Sequence, residues 1–311
     1  MGKMIRQPAF TGGEMLKGGL HCHTTRSDGK GDPAEVIRLH KEHGYDFMTL
    51  TDHRKYNYDS FGEEGIVIIP GMEMDANFPE RAVHCHHIVC IGPEKQNGNG
   101  YDQDQYFDSR SIRKPEDTQP MLDWIHENGN MTIYCHPEWS GTPAREFEML
   151  RGNFAMEIWN SGCAINDRLD TNAAYWDELL IQGQQIYGVA VDDGHAMNEH
   201  CNGWVMVRAE RSVSSILNAL KEGCFYSSCG PEIRDFYVED GWAYIASSPV
   251  KEIKFHHLRA PYSVFLPAEG EETLSEAKVR ITAPGYIRAS VLDAEGHRAW
   301  TNPIFFEGEN D

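Results

Sequence analysis

Short apolar runs recur through the first two thirds of the chain and alternate with stretches whose apolar positions fall three and four residues apart. Runs 47–50, 66–69, 131–134, 154–159 and 186–191 have the length and composition of buried strands. Met121, Leu122, Trp124 and Ile125, and then Tyr175, Trp176, Leu179 and Leu180, form helical stripes. Strands alternating with helices predict βα units, and hence an α/β chain built on a parallel sheet or barrel. The punctuation agrees with the periodicity. Asp32-Pro33-Ala34-Glu35 places Asp at an N-cap, Pro at the first helical position and Glu three residues after the cap. Gly44, Gly129 and Gly183 stand where three helices must stop.

Beyond Pro231 the texture changes. Runs 236–238, 242–246, 253–255, 263–266, 279–282, 286–292 and 304–306 are short and β-like, separated by Gly, Pro and charged turns, and Asp293-Ala294-Glu295-Gly296 reads as a hairpin loop. The expectation is a barrel over 1–230 and a small antiparallel β domain over 231–311. The plainer role of that domain is to cover barrel surface or supply an oligomer contact; the sharper one is to wall a substrate cleft. Segment 93–120, rich in Gly, Asn, Gln, Asp and Ser, reads as a long surface excursion and a candidate lid or specificity insert.

Composition narrows the function classes. A formal charge of −20 over 311 residues argues against a long nucleic acid as partner, because such affinity rests on clustered Lys and Arg. Neither a signal-like apolar run nor a membrane-length segment is visible, so the sequence predicts a cytoplasmic protein with no membrane partner. The eight cysteines are scattered without a Cys-x-x-Cys pair, as expected of reduced core thiols.

The chemistry lies at the strand ends. His21 and His23 flank Cys22 on an extended segment, so both imidazoles face one side while the thiol faces the other. Asp28-Gly29 follows as a turn that can bring a carboxylate over the same end. Later runs lead into Thr51-Asp52-His53, Pro70-Gly71-Met72-Glu73, Cys135-His136-Pro137 and Asp192-Asp193-Gly194-His195. In a parallel barrel the carboxyl ends of the strands meet on one rim. Burying so many imidazoles and carboxylates there demands a cation, and the donor set suits Zn, Mn or Fe. Asp52 and Cys135 each precede a candidate ligand and should point away from it. His84-Cys85-His86-His87 precedes its apolar run instead of following it. Either that strand runs against its neighbours or these histidines lie on the surface.

His21-x-His23 with Ser27-Asp28-Gly29, Thr51-Asp52-His53, Pro70-Gly71-x-Glu73, His87-Ile-Val-x-Ile-Gly, His136-Pro137 and Asp193-x-His195, in that order, resemble the polymerase and histidinol phosphatase (PHP) superfamily of metal-dependent phosphoesterases. The Phe225-Tyr226-Ser227-Ser228-x-Gly230-Pro231 run is similar to the branch named after carbaryl hydrolases. The resemblance implies a distorted seven-stranded (β/α) barrel carrying two to three divalent ions. His21, His23, Glu73 and Asp193 would hold the first; Asp28, His53 and His195 the second; and Glu73, bridging, with His87 and His136 the third. Asp28 stands where some members have histidine. The implied reaction is hydrolysis of a small phosphorylated metabolite or nucleotide by a hydroxide shared between metals. Arg54 is the first candidate for a phosphate-binding cation, with Arg26 and Arg145 behind it, and His195 or Asp52 for the proton donor to the leaving alcohol. A carboxyl-ester or carbamate hydrolase using the same centre is the second reading, and a non-catalytic metal-binding module the third.

Overall fold

The computed structural model describes residues 4–78, 85–95, 100–109, 112–257 and 262–306. In chain order its elements are β1 (Ile5–Arg6), β2 (Met15–Gly19), α1 (Pro33–Glu42), β3 (Phe47–Met48), β4 (Val67–Ile68), β5 (Gly71–Asn77), β6 (Cys85–Ile91), α2 (Thr118–Glu127), β7 (Met131–Tyr134), α3 (Ala144–Phe147), β8 (Asn153–Asn160), α4 (Ser161–Asp167), α5 (Asn172–Ile181), β9 (Tyr187–Val191), β10 (Trp204–Arg208), α6 (Val213–Lys221) and β11 (Phe225–Ser228). Strands β12 (Ile233–Glu239), β13 (Trp242–Val250), β14 (Glu252–His257), β15 (Tyr262–Phe265), β16 (Leu274–Arg280), β17 (Gly285–Leu292), β18 (Arg298–Thr301) and β19 (Ile304–Phe306) follow. Helix α1 begins as its residues dictate: Asp32 accepts from Ala34 N, the Glu35 side chain returns to Asp32 N, and the helix gives way to Gly44 at φ +75°. Among the described residues no helix is long and apolar enough to cross a membrane.

The result is a mixed α/β architecture in three sheets. One runs β15-β14-β17-β18-β11-β10-β2-β3-β4, one runs β5-β6-β7-β8-β9, and one runs β1-β12-β13-β16. The first two face each other across a shared core that includes Leu16, Phe47, Val89, Ile133, Val189 and Val205. Gly18 makes the approach of β2 to β3 feasible, since a Cβ there would lie 2.0 Å from the Phe47 ring.

The seven-stranded (β/α) barrel implied by the family resemblance is not what forms: the described strands make no closed barrel. The two arcs meet at two seams held by isolated bridges, His53 to Glu73 and Cys22 to Gly194. At the second seam side chains do the work of a ladder. Ser227 Oγ accepts from Ala190 N at 3.2 Å and donates to Gly188 O at 2.8 Å. Asn302 Oδ1 accepts from Gly188 N at 3.1 Å while its amide donates to Phe225 O. The Phe-Tyr-Ser-Ser run thus serves the edge of β9.

One alternative left open by the sequence closes, and one expectation changes. Strand β6 pairs antiparallel with both β5 and β7, so it runs against its neighbours and delivers His87 from its amino end to the rim. Segment 93–120 is no loose excursion where it is described: Tyr101, Phe107 and Ile112 are buried in the core around Tyr56 and Leu122. Residues 96–99 and 110–111 of it lie outside the described residues.

Candidate metal centre

The rim is built where chains leave the two arcs. After β2 the backbone stays extended, so His21 and His23 point into the rim and Cys22 Sγ turns away to donate to Thr49 O at 3.3 Å. Buried Asp52 gathers the turn that follows, accepting from Thr24 N, Thr24 Oγ1 and Ser27 Oγ, each at 2.8 Å. That turn closes tightly because residue 29 is Gly; a Cβ there would sit 2.5 Å from the His23 carbonyl. Asp28 is thereby held over the rim. Glu73 lies within β5, His136 follows β7 at φ +25°, and Asp193 follows β9 at φ +49°. Non-glycine residues held at positive φ store strain that surrounding structure must enforce, and such positions cluster at working sites.

Four side chains converge most tightly. His21 Nε2 lies 3.1 Å from His23 Nε2, 3.5 Å from Glu73 Oε2 and 3.2 Å from Asp193 Oδ1. His23 Nε2 lies 3.3 Å from Glu73 Oε2 and 3.1 Å from Asp193 Oδ1. A tetrahedron with corners about 2.0–2.1 Å from its centre, the usual Zn–N and Zn–O distance, has edges of about 3.3 Å. Five of the six edges such a site needs are thus present, and His21, His23 and Glu73 form one compact donor group with Asp193 beside the two histidines.

Two flanking groups extend the centre. Asp28 Oδ2 lies 3.5 Å from His53 Nε2, and Asp28 Oδ1 lies 3.5 Å from His195 Nε2. On the other side, Glu73 Oε1 faces His87 Nδ1 at 3.1 Å and His136 Nε2 at 3.6 Å. Glu73 is thus shared, one oxygen toward His21 and His23 and the other toward His87 and His136. Burial works to raise the Glu73 carboxyl, but the charges of His53, His21 and His87 outweigh it and hold the group well below the usual carboxylate range. Burial works to lower His23, yet hydrogen bonds to the Asp193 and Glu73 carboxylates raise it to about 9. The charged form of each group is favoured only by the others, which is the field a bound cation would replace.

Behind the donors stands a residue the sequence reading missed. Glu157 Oε1 takes His21 Nδ1 at 2.6 Å, which turns the lone pair of Nε2 toward the rim. Its other oxygen accepts from His136 N and from Asn160, whose amide also donates to Asp193 Oδ2. One carboxylate therefore orients three of the rim residues. The signal was in the sequence: Glu157 is the one charged side chain in the run Phe-Ala-Met-Glu-Ile-Trp.

A cleft of ≈ 200 Å³ opens over the donors, walled by Trp139 on one side and by Cys163, Asn166 and Asp167 of α4 and its flank on the other. Asp28, His53, Glu73, His87, His136, Asp193 and His195 all line it. Several sequence candidates lie elsewhere. Asp52 is fully buried beneath the turn at 24–27 and does not line the cleft. Arg54, at φ +61°, pairs with Asp75 at 3.3 Å. Arg26 binds Asn57 and Asp104, and Arg145 pairs with its neighbour Glu146. His86 turns to Tyr134 Oη at 2.8 Å, and burial together with the charge of His87 lowers it to about 4. His84 lies outside the described residues.

No protein-family model and no curated protein sequence matches the chain. Among solved structures, it is similar over 95% of its length to 96% of a two-domain protein of Bacteroides vulgatus whose name includes a predicted PHP-like metal-dependent phosphoesterase, at 14% identity and a TM-score of 0.48. An amidohydrolase of Chromobacterium violaceum with bound sulfate and no metal matches 58% of this chain over 88% of its own, at 17% identity and a TM-score of 0.41. A protein of Bifidobacterium adolescentis whose name proposes a metal-dependent phosphoesterase matches 57% over 87% of its own length, at 15% identity and a TM-score of 0.37. The chain thus has neighbours among solved structures that are named for PHP-like metal-dependent phosphoesterases.

Proposed function

We propose that the protein is a metal-dependent hydrolase of small phosphoric esters. The observation that carries the reading is the set of five separations of 3.1–3.5 Å among His21, His23, Glu73 and Asp193, each of the length of an edge of a coordination tetrahedron. His21, His23, Glu73 and Asp193 would hold one divalent ion, Asp28, His53 and His195 a second, and Glu73 with His87 and His136 a third, the metals being Zn, Mn or Fe. Such ions, when bound, make water nucleophilic at neutral pH and neutralise charge on a transferring phosphoryl group.

The remaining work falls to the chain itself. Glu157 fixes the tautomer of His21, and Trp139 packs edge-on against His136 at 5.0 Å between ring centroids, walling that side of the cleft. His195 Nδ1 lies 3.0 Å from Asp193 O, a pure acceptor, so Nδ1 carries the proton there and Nε2 faces the cleft. Both Asp52 oxygens are engaged, so of the two candidates His195 is the proton donor to a leaving alcohol, a role its Nε2 can fill only when protonated and not ligating the second ion. Residues 1–230 would form the catalytic unit, with 231–311 completing its sheet and offering any oligomer contact, in a cytoplasmic setting.

A second reading, cleavage of a carboxyl ester or carbamate, is favoured by one observation. Among the described residues that line the cleft there is no Lys or Arg, and Arg26, Arg54 and Arg145 are engaged elsewhere. The deciding experiment is hydrolysis of matched phosphomonoesters and carboxyl or carbamate esters by protein loaded with Mn²⁺ or Zn²⁺, beside a His21→Ala, His23→Ala variant. Phosphate release that disappears in the variant supports the first reading. Ester or carbamate cleavage alone moves the protein to the second, and silence on both by the metal-loaded protein defeats both.

A further inference from the structure

On the far side of the strand that carries His21 and His23, a second group of metal-binding side chains meets in the interior. Cys22, turned away from the rim, His40 of α1 and His200 of the loop before β10 are all buried, and their donor atoms lie within 4.8 Å of one another. Asp192 lies beside His40, with Oδ2 3.5 Å from Nε2, while its two oxygens also accept from the backbone amides of Cys201, Asn202 and Gly203. None of these four belongs to the donor set of the cleft.

Two observations show that the group is incomplete as a packing arrangement. His200 is 4% exposed, yet among the described residues neither ring nitrogen has a hydrogen-bond partner. A buried imidazole left so carries the full desolvation penalty of its polar atoms. Next, His40 Nδ1 gives its proton to Val36 O at 2.8 Å, so a neutral ring turns a lone pair of Nε2 toward the Asp192 carboxylate. Two acceptors then face each other. Room has also been kept: Gly194 stands against the ring, and a Cβ there would lie 2.5 Å from His200 Nδ1.

We propose that Cys22, His40 and His200, with the Asp192 carboxylate as fourth donor, bind one thiophilic divalent cation, Zn²⁺ by the chemistry of the set. Thiolate plus two imidazoles selects a borderline-soft ion, and enclosure without a solvent-facing position marks a structural site. Binding replaces the Cys22 proton, which leaves to solvent, by the metal. The ion would pin α1 and loop 196–203 to the strand that presents His21 and His23.

The test reads the thiolate and not hydrolysis, so its outcome is separate from that of the catalytic reading. Full-length protein is stripped of metal, reduced and titrated with Co²⁺. The cleft's donors, His, Asp and Glu, give no thiolate-to-cobalt charge-transfer absorption, whereas this site does. Expected is a near-ultraviolet charge-transfer band in the wild type, its complete loss with one fewer bound equivalent in Cys22→Ser, and its retention in Cys135→Ser and in Cys163→Ser, two thiols on the cleft side. His200→Asn, which keeps the thiol, should raise the cobalt concentration needed for the band by at least about tenfold. Absence of the band at saturating cobalt, or its survival in Cys22→Ser, overturns the proposal. If Cys22→Ser does not fold, unchanged cobalt affinity in His200→Asn overturns it equally.

Discussion

Two regions of this molecule bury a carboxylate beside histidine, and they do it to opposite ends. At the junction of α5 and β17, Asp177 accepts from Arg288 Nε at 2.8 Å, Arg288 Nη2 at 2.6 Å and Tyr286 Oη at 3.0 Å, while His256 hydrogen-bonds Ser290 at 2.9 Å. Each carboxylate oxygen there has a donor, and the guanidinium lies 4.6 Å over the Trp176 ring. At the rim, by contrast, His21 Nε2 and His23 Nε2 face each other at 3.1 Å and both face carboxylate oxygens. In the first cluster the carboxylate is fully engaged by its donors, although His256 Nδ1 and Arg288 Nη1 have no hydrogen-bond partner among the described residues; the second has its polar atoms aimed at a common centre. Burial and charge alone do not separate the two. What separates them is whether the buried carboxylate meets a fixed cationic donor, as Asp177 meets Arg288, or only imidazoles turned to a shared centre.

The comparison breaks most visibly at Glu73. Glu73→Gln removes the charge shared by the groups around His21 and around His87, and hydrolysis should fall to the level of chelator-treated protein when assayed with excess Mn²⁺ or Zn²⁺. Asp177→Ala should do the reverse. It leaves the fully buried Arg288 without its partner and should cost about 3–5 kcal/mol in urea unfolding, while metal content per folded molecule is kept. Glu157→Gln sits between the two, because it disturbs the orientation of a ligand without removing one. Its expected effect is a loss of about 10–100-fold in metal affinity, read by competition with a chelating dye.

Acid sharpens the comparison further. Burial, with the Arg288 charge, depresses His256 to about 3, so the unfolded chain takes up a proton near pH 6.5 that the folded state refuses. The stability this neutral ring contributes is present above pH 6.5 and is lost as pH falls from there to about 3. A His256→Gln variant should show a flatter stability profile across that window. Smallest is Asp32→Ala, which removes the N-cap of α1 and should cost about 1 kcal/mol by thermal unfolding with no change at the rim.

Much of the site was legible because ligation by strand ends leaves a local trace. His21-x-His23, Thr51-Asp52-His53 and Asp193-x-His195 each carry a donor just past an apolar run, and the periodicity of that run tells which side it faces. The direction of β6 was not legible, since nothing within 84–91 states which way its neighbours run; only pairing with β5 and β7 decides it. The roles of the arginines were hidden for a similar reason. Arg54 is taken by Asp75 and Arg26 by Asn57 and Asp104, partners distant in sequence whose meeting depends on how strands and loops stack. The open barrel escaped for a third reason. A resemblance built on ligand motifs says how donors are presented and little about whether a ladder closes behind them, and here that closure rests on Ser227 and Asn302.

The Asn302 contact has a consequence for the order in which the molecule is made. Strand β9 leads directly to Asp193, yet the backbone amide of Gly188 at its edge is satisfied by a side chain 114 positions later. During synthesis the donors from His21 to His195 will all have left the ribosome while that amide still lacks its partner. Closing so long a loop is slow compared with local pairing, so the edge of β9 is the part of the site that waits on Asn302. Metal offered to a nascent chain released at residue 230 would meet Asp193 at the end of a strand whose edge is not yet held in place.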